Sequence, residues 1–145
     1  SVDYDSEKIA VAANSYDKTS KLEFQVKDAR EVDFADADVL FFNDVLHYVS
    51  RNDQMNILNK AAENLNEDGV ILIRDGVTDF GDRHAVTKRT EEYSTKISKF
   101  NKTTEELSFF SIKDIFDFAE SKNLKCEMIE QSAKTSNVLF KLQKS

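Results

Sequence analysis

Four clusters of polar residues in this chain follow apolar stretches, and each has the chemistry to hold a ligand. They are Asp3 and Asp5 around Tyr4, Asp28 beside Ala29, Asn43 and Asp44 with His47 close behind, and Arg74 with Asp75. Carboxylates accept hydrogen bonds from hydroxyl and amino groups. At the end of a parallel strand, an acidic residue is a means of holding ribose hydroxyls in nucleotide-binding α/β folds. Val2-Asp3-Tyr4-Asp5-Ser6-Glu7-Lys8-Ile9 reads as such a strand end, an acidic turn and a helix start. His47 and His84 are the only histidines. Either titrates where an imidazole takes a proton from a hydroxyl. Equally, His47 suits packing at a strand–helix corner, and His84 a solvated loop. Arg83 and Arg89 suit the grip of a carboxylate or phosphate, or an ordinary charged surface. Two histidines far apart make no metal-ligand spacing.

The elements that position these residues follow from composition and periodicity. A length of 145 residues, 40% hydrophobic and 32% charged, suits one soluble domain with a sizeable core. The net charge of −7 argues against a general phosphate-backbone binder, so no nucleic-acid partner is expected, while leaving room for a local basic pocket. No apolar run approaches the roughly 18 residues that span a bilayer, and no signal peptide is visible. Cys126 is the single cysteine, which rules out an intrachain disulfide and makes a reducing cytoplasm the default location.

Residues 6–17 predict a helix capped by Ser6, with Ile9, Ala12, Ala13 and Tyr16 at helical spacing. Leu22, Phe24 and Val26 alternate as in a strand with one less buried face. Val39-Leu40-Phe41-Phe42 predicts a central parallel strand buried on both faces. Ser50 and Asp53 have capping-box spacing before a helix with Met55, Leu58, Ala62 and Leu65 on its apolar face. Asn66 to Gly69 closes that helix as a turn, and Val70 to Ile73 is a second buried strand. A polar loop and a helix over about 86–98 follow. Ser111 and Asp114 start another helix, with Ile112, Ile115, Phe116 and Ala119 buried. Residues 126–131 and 138–142 close the chain as an antiparallel pair. Strands alternating with helices imply an α/β fold with a mostly parallel sheet. Phe109, Phe110, Phe116 and Phe118 read as core.

Taken in order, Val2 to Ile9, Lys27-Asp28-Ala29, Asn43-Asp44-Val45-Leu46-His47-Tyr48 and Leu65 to Ile73 resemble the class I S-adenosylmethionine-dependent methyltransferases. The resemblance covers nearly the whole chain and implies their Rossmann-like fold as one domain over 1–145. It implies S-adenosylmethionine as cofactor. Asp3, with Tyr4 beside it, would meet the ribose hydroxyls; Asp28 and Ala29 the adenine; Asn43 and Asp44 the methionine end. An acidic pocket favours a cationic sulfonium. The family's first strand and glycine-rich loop should precede Val2, so the chain is expected to be an N-terminally truncated piece that binds cofactor weakly by itself. The resulting sheet gap is one that a homodimer, a swap or another strand order would fill.

Residues 76–104 lie where these enzymes build a substrate lid. His84, Arg83, Arg89 and Tyr93, with Tyr48, are its candidate acceptor contacts, and Phe100 to Thr104 with Thr135-Ser136-Asn137 join it. With Leu46-His47-Tyr48-Val49, this stretch is similar to the methyltransferase part of large fusion proteins that also carry a transporter and an acyltransferase. That implies a small or lipid-like acceptor (fatty-acyl or aryl-polyene in type) and a cytoplasmic domain of a membrane-associated parent. His47 or His84 would be the base for a hydroxyl acceptor. The competing expectation is a degenerate, non-catalytic interaction domain of the same fold. A dehydrogenase-like nucleotide binder is disfavoured by the antiparallel C-terminal pair.

Overall fold

The computed structural model describes residues 1–15, 21–94, 106–131 and 133–144. They form two compact units, 1–33 and 34–145.

In the first unit, β1 (Val2–Asp3) and β2 (Gln25–Val26) pair in parallel, with Asp3 opposite Val26. The Lys27 amide continues the ladder by donating to the Asp3 carbonyl at 3.0 Å. Helix α1 (Ser6–Ser15) starts from Asp5, not Ser6: the Asp5 side chain accepts from the Glu7 amide at 3.0 Å and its carbonyl from the Ile9 amide at 3.1 Å. Asp5 is buried, which its capping role permits. The alternation that predicts a strand from Leu22 yields pairing only at Gln25 and Val26, and Leu22 is exposed.

The second unit is a four-stranded sheet in the order β3-β4-β6-β5. These are β3 (Ala37–Asn43), β4 (Leu65–Gly76), β5 (Leu124–Gln131) and β6 (Asn137–Lys144). Strands β3 and β4 run parallel, and β6 runs antiparallel to both its neighbours, as the C-terminal pattern predicts. Strand β4 begins earlier than expected. Leu65 already faces Ala37, and Val70 then faces Val39, so residues 66–69 are looped out of register instead of closing the helix. The expectation for β3 needs correction too. Val39 and Phe41 are 62% and 55% exposed, while Phe42 is buried. In this sheet β3 is an edge strand with one open face, and a continuous apolar run does not distinguish that from a central strand.

Helix α2 (Arg51–Glu63) starts from Ser50, whose hydroxyl accepts from the Asp53 amide at 3.2 Å. Its inner face buries Ile57, Leu58 and Ala61. Helix α3 (Gly81–Glu92) starts five residues before the predicted Val86. Gly81 makes that start possible, with φ +42°, a value L side chains rarely adopt. Helix α4 (Ile112–Ser121) carries a full capping box between Ser111 and Asp114. It buries Ile115, Phe118 and Ala119, whereas Phe116 is half-exposed and meets Phe140 edge-on at 6.3 Å. In this unit the core lies between these helices and β4 and β6, around Ile71, Ile73, Phe140 and Leu142.

Ser111→Ala removes the hydroxyl that accepts from the Asp114 amide at 3.2 Å. The expected cost is about 1 kcal/mol, read as a lower urea midpoint at unchanged slope. A midpoint equal to wild type would show that the cap carries no stability.

Candidate active site

Along β4 the buried side chains alternate: Ile71, Ile73, then Asp75. The period of two therefore places a carboxylate on the core face of the strand, at its carboxyl end. Asp75 is 3% exposed, and its oxygens are fully engaged. Oδ2 accepts from the amides of Leu46 at 3.1 Å and His47 at 3.3 Å. Oδ1 accepts from the Gly76 amide at 2.8 Å and lies 2.5 Å from His47 Nδ1. Asp75 thus holds both the backbone and the ring of His47, which sits in a 3₁₀ turn (Leu46–Tyr48) after β3.

His47 is 1% exposed. With Nδ1 directed at Asp75, Nε2 is the atom available for chemistry; it is buried with no hydrogen-bond partner among the described residues. Glu91 Oε2, from α3, lies 3.6 Å from it and accepts from the Tyr48 hydroxyl. Phe109 stacks on the imidazole, with centroids 5.0 Å apart and planes at 12°. His84, also from α3, meets the same Phe109 edge-on at 5.0 Å, and its Nδ1 is likewise buried without a partner among the described residues. Gly76 gives Phe109 this place: a Cβ there would come within 3.1 Å of the Phe109 ring. Burial pulls the His47 pKa down, but the Asp75 charge and hydrogen bond, with Glu91 behind them, win and push it up to about 9.

Beside this core lie Asn43, the last residue of β3, and Asp44, in a left-handed conformation (φ +51°). Asp44 pairs with Arg74, and its other oxygen is 3.5 Å from Asn137 Nδ2. Burial raises the Asp44 pKa against the pull of Arg74. Arg74 Nη1 also reaches Asn43 Oδ1 at 3.4 Å.

In the first unit, Asp3 ends β1 and Asp28 follows β2, so both carboxylates stand at the same end of one parallel pair. Asp3 Oδ1 accepts from the Asp5 amide at 2.9 Å. Asp28 caps the 3₁₀ turn that begins at Ala29, and the Arg30 guanidinium grips both its oxygens and lowers its pKa. Tyr4 is 37% exposed.

Helix α3 carries the remaining expected residues. It is fastened through Thr87, whose hydroxyl accepts from the Ser136 amide at 2.9 Å and hydroxyl at 3.0 Å. Arg83 lies over the Phe80 ring at 4.0 Å. Arg89 is exposed, as is Tyr93 just beyond the helix. Phe100 to Thr104 lie outside the described residues. His47, His84 and Tyr48 are thus brought together around Phe109 and Glu91. Sequence reasoning placed Asp75 at a strand end without a role, took Phe109 as core, and passed over Glu91. The alternation in β4 was the signal for Asp75.

A family model described as a methyltransferase domain matches residues 1–69. No curated protein matches the chain. Among solved structures, an O-methyltransferase family 2 protein from Planctomyces limnophilus, in complex with apigenin, is 24% identical with a TM-score of 0.66; the match covers 97% of this chain and 41% of that one. A SAM-dependent methyltransferase from Methanosarcina mazei is 16% identical, TM-score 0.64, over 99% of this chain and 80% of that one. An N-methyltransferase from Bradyrhizobium japonicum, bound to S-adenosyl-L-homocysteine, is 11% identical, TM-score 0.65, over 99% and 64%. The chain therefore spans less than two thirds of two of these three structures.

The His47 geometry sets a titration. In a His84→Asn background, nitrogen-resolved NMR of the remaining ring should give a midpoint of about 9, and Glu91→Gln should lower it by about one unit. The folded pKa lies above the ordinary 6.5. The stability this group contributes is therefore complete below about pH 6.5 and disappears as pH rises through about 9. A ring titrating near 6.5 in the folded protein would contradict the Asp75 coupling.

Proposed function

We propose that this chain, whose residues 1–69 match a methyltransferase-domain model and whose fold is that of solved methyltransferases, uses S-adenosylmethionine to methylate a hydroxyl of a small-molecule or lipid-like acceptor. The observation that carries the reading is the buried Asp75–His47 pair, whose Nε2 makes no hydrogen bond among the described residues and faces the Glu91 carboxylate at 3.6 Å.

The residues present fit the cofactor by their chemistry. Asp3 and Asp28, at one end of one parallel pair, offer acceptors for a ribose diol and an adenine amino group. Arg30 does not exhaust Asp28, since a carboxylate has about four acceptor sites. Ala29 offers backbone beside it, and Tyr4 lies beside Asp3. Asn43 and Asp44 offer acceptors for the cationic end. Bound S-adenosylmethionine supplies an electrophilic methyl group on a sulfonium.

The protein's part is alignment and the proton. Once the resting imidazolium has lost its Nε2 proton to solvent, His47 Nε2 takes the proton of an acceptor hydroxyl as the hydroxyl oxygen gains the methyl group and a neutral thioether is left. The proton stays on the imidazole, where Asp75 stabilises the positive charge. Glu91 has a double effect. It holds the resting ring protonated, and an acceptor that displaces it removes one of the charges holding that proton. His84 is the alternative base from the sequence; Asp75 orients His47, and among the described residues no carboxylate is paired with His84.

The sequence segment 76–104 is proposed to serve the acceptor, with His84, Arg83 and Arg89 on α3, Tyr93 just beyond it and Tyr48 after β3 as candidate contacts. The aromatic surroundings of His47, and the apigenin held by the Planctomyces limnophilus protein, support hydroxylated aromatic probes as the first acceptors to try. A buried charged pair is costly to keep, which weighs against a purely non-catalytic docking module.

The test is transfer of labelled methyl from S-adenosylmethionine to a panel of phenols and hydroxylated acyl chains. His47→Ala and Asp75→Asn should each lower kcat by about 10²- to 10⁴-fold, with cofactor affinity changed little. Because the base must be deprotonated, wild-type turnover should rise with pH toward about 9, and Glu91→Gln should move that limb to lower pH. Full turnover in His47→Ala, or no hydroxyl acceptor methylated by wild type, would sink the proposal.

A further inference from the structure

We infer that Gln54 is a positioning residue for this reaction: its buried amide ties the His47 turn to the Phe109 segment and so fixes where Nε2 points. The inference rests on the reading of His47 as the base.

Gln54 lies in the first turn of α2 and is fully buried. Its Nε2 donates to three backbone carbonyls: Leu46 at 2.9 Å, Val49 at 3.3 Å and Ser108 at 2.6 Å. Its Oε1 lies 3.4 Å from Arg51 Nη1, a donor. That pattern fixes the orientation of the amide, because a flip would set its oxygen against three carbonyl oxygens. The Ser108 amide in turn donates to the His47 carbonyl at 3.0 Å. The Leu46 and His47 amides thus go to Asp75 on β4, and the Leu46 and His47 carbonyls accept from Gln54 and Ser108. The next residue, Phe109, stacks on the imidazole.

Packing alone does not call for this residue. Leu or Met would fill a similar volume at a helix position facing the core, without the cost of desolvating an amide. What the amide adds is a bridge between the turn that carries the ring, through the Leu46 carbonyl, and the segment that carries its stacking partner, through the Ser108 carbonyl. Without it the Leu46 carbonyl loses its tie to Ser108, and the turn keeps Asp75 on its amides and the Ser108 amide on the His47 carbonyl. A displacement on the order of 1 Å at a reacting atom is enough to cost about 10²-fold in rate.

The test reads the ring itself. Among the described residues, the titratable groups facing His47 are Asp75 from β4, Glu91 from α3, Tyr48 beside it in the turn, His84 across Phe109, and Asp44 after β3. Gln54→Met changes none of them. In nitrogen-labelled protein lacking His84, Gln54→Met should lower the His47 midpoint by about one unit and broaden its Nδ1 proton signal. Ser111→Ala, which weakens a distant cap, should leave both unchanged. If Gln54→Met lowers the melting temperature yet leaves the midpoint and the Nδ1 signal as in wild type, Gln54 is structural only and the inference falls. Should that variant not fold, Gln54→Asn, whose shorter amide cannot span all three carbonyls, is judged by the same two readouts. The base reading fails separately, by full turnover in His47→Ala, whatever Gln54 does to the ring.

Discussion

The Asp75 carboxylate accepts from three backbone amides and one imidazole, in a place almost closed to water. An ionised carboxylate is tolerable there only because each oxygen is satisfied. Everything around it follows from that requirement. The turn after β3 must bring two amides toward the end of β4, which fixes where His47 begins. Gly76 must follow without a side chain, so that its amide turns back while Phe109 closes the other side. The ring then has one nitrogen committed and one left over. A catalytic orientation is thus a by-product of solvating a buried charge with protein groups.

Two carboxylates flank that ring in different ways. Asp75 is in hydrogen-bond contact and belongs to the sheet. Glu91 is farther away, belongs to α3, and is shared with Tyr48. The first is a fixture of the core; the second sits on a helix fastened chiefly through Thr87 and Ser136. The two therefore differ in how easily they can be withdrawn from the imidazole. The proposed role of His47 as base uses that difference: withdrawing Glu91 removes one of the two charges that favour the protonated ring.

Local signals were legible in the sequence and long-range ones were not. The Ser111–Asp114 capping box and the Ser50 cap could be read because all their atoms lie within four residues. The strand ends and His47 were legible from hydrophobic runs. The role of Asp75 was not, because its partner lies 28 residues away. Gln54 and Glu91 looked like ordinary polar helix residues; only the fold shows which face they occupy. Phe109 was taken for core, and it is also a wall of the site. The misreading of Val39 and Phe41 has the same origin: whether a strand lies at the edge of a sheet is decided by its neighbours, not by its own residues.

That edge has a consequence for the molecule in solution. Strand β3 presents two exposed apolar side chains beside backbone that pairs on one side only within its sheet. Such an edge is a template for another strand. Asp36 and Asp38 sit at its start, and the net charge of the chain is −7, so like copies repel as they approach. Added salt shortens the reach of that repulsion, to about 8 Å at physiological ionic strength and about 3 Å at 1 M, while leaving the apolar attraction in place. Where two copies meet at this edge, concentrated salt therefore weakens the repulsion between them more than the apolar attraction.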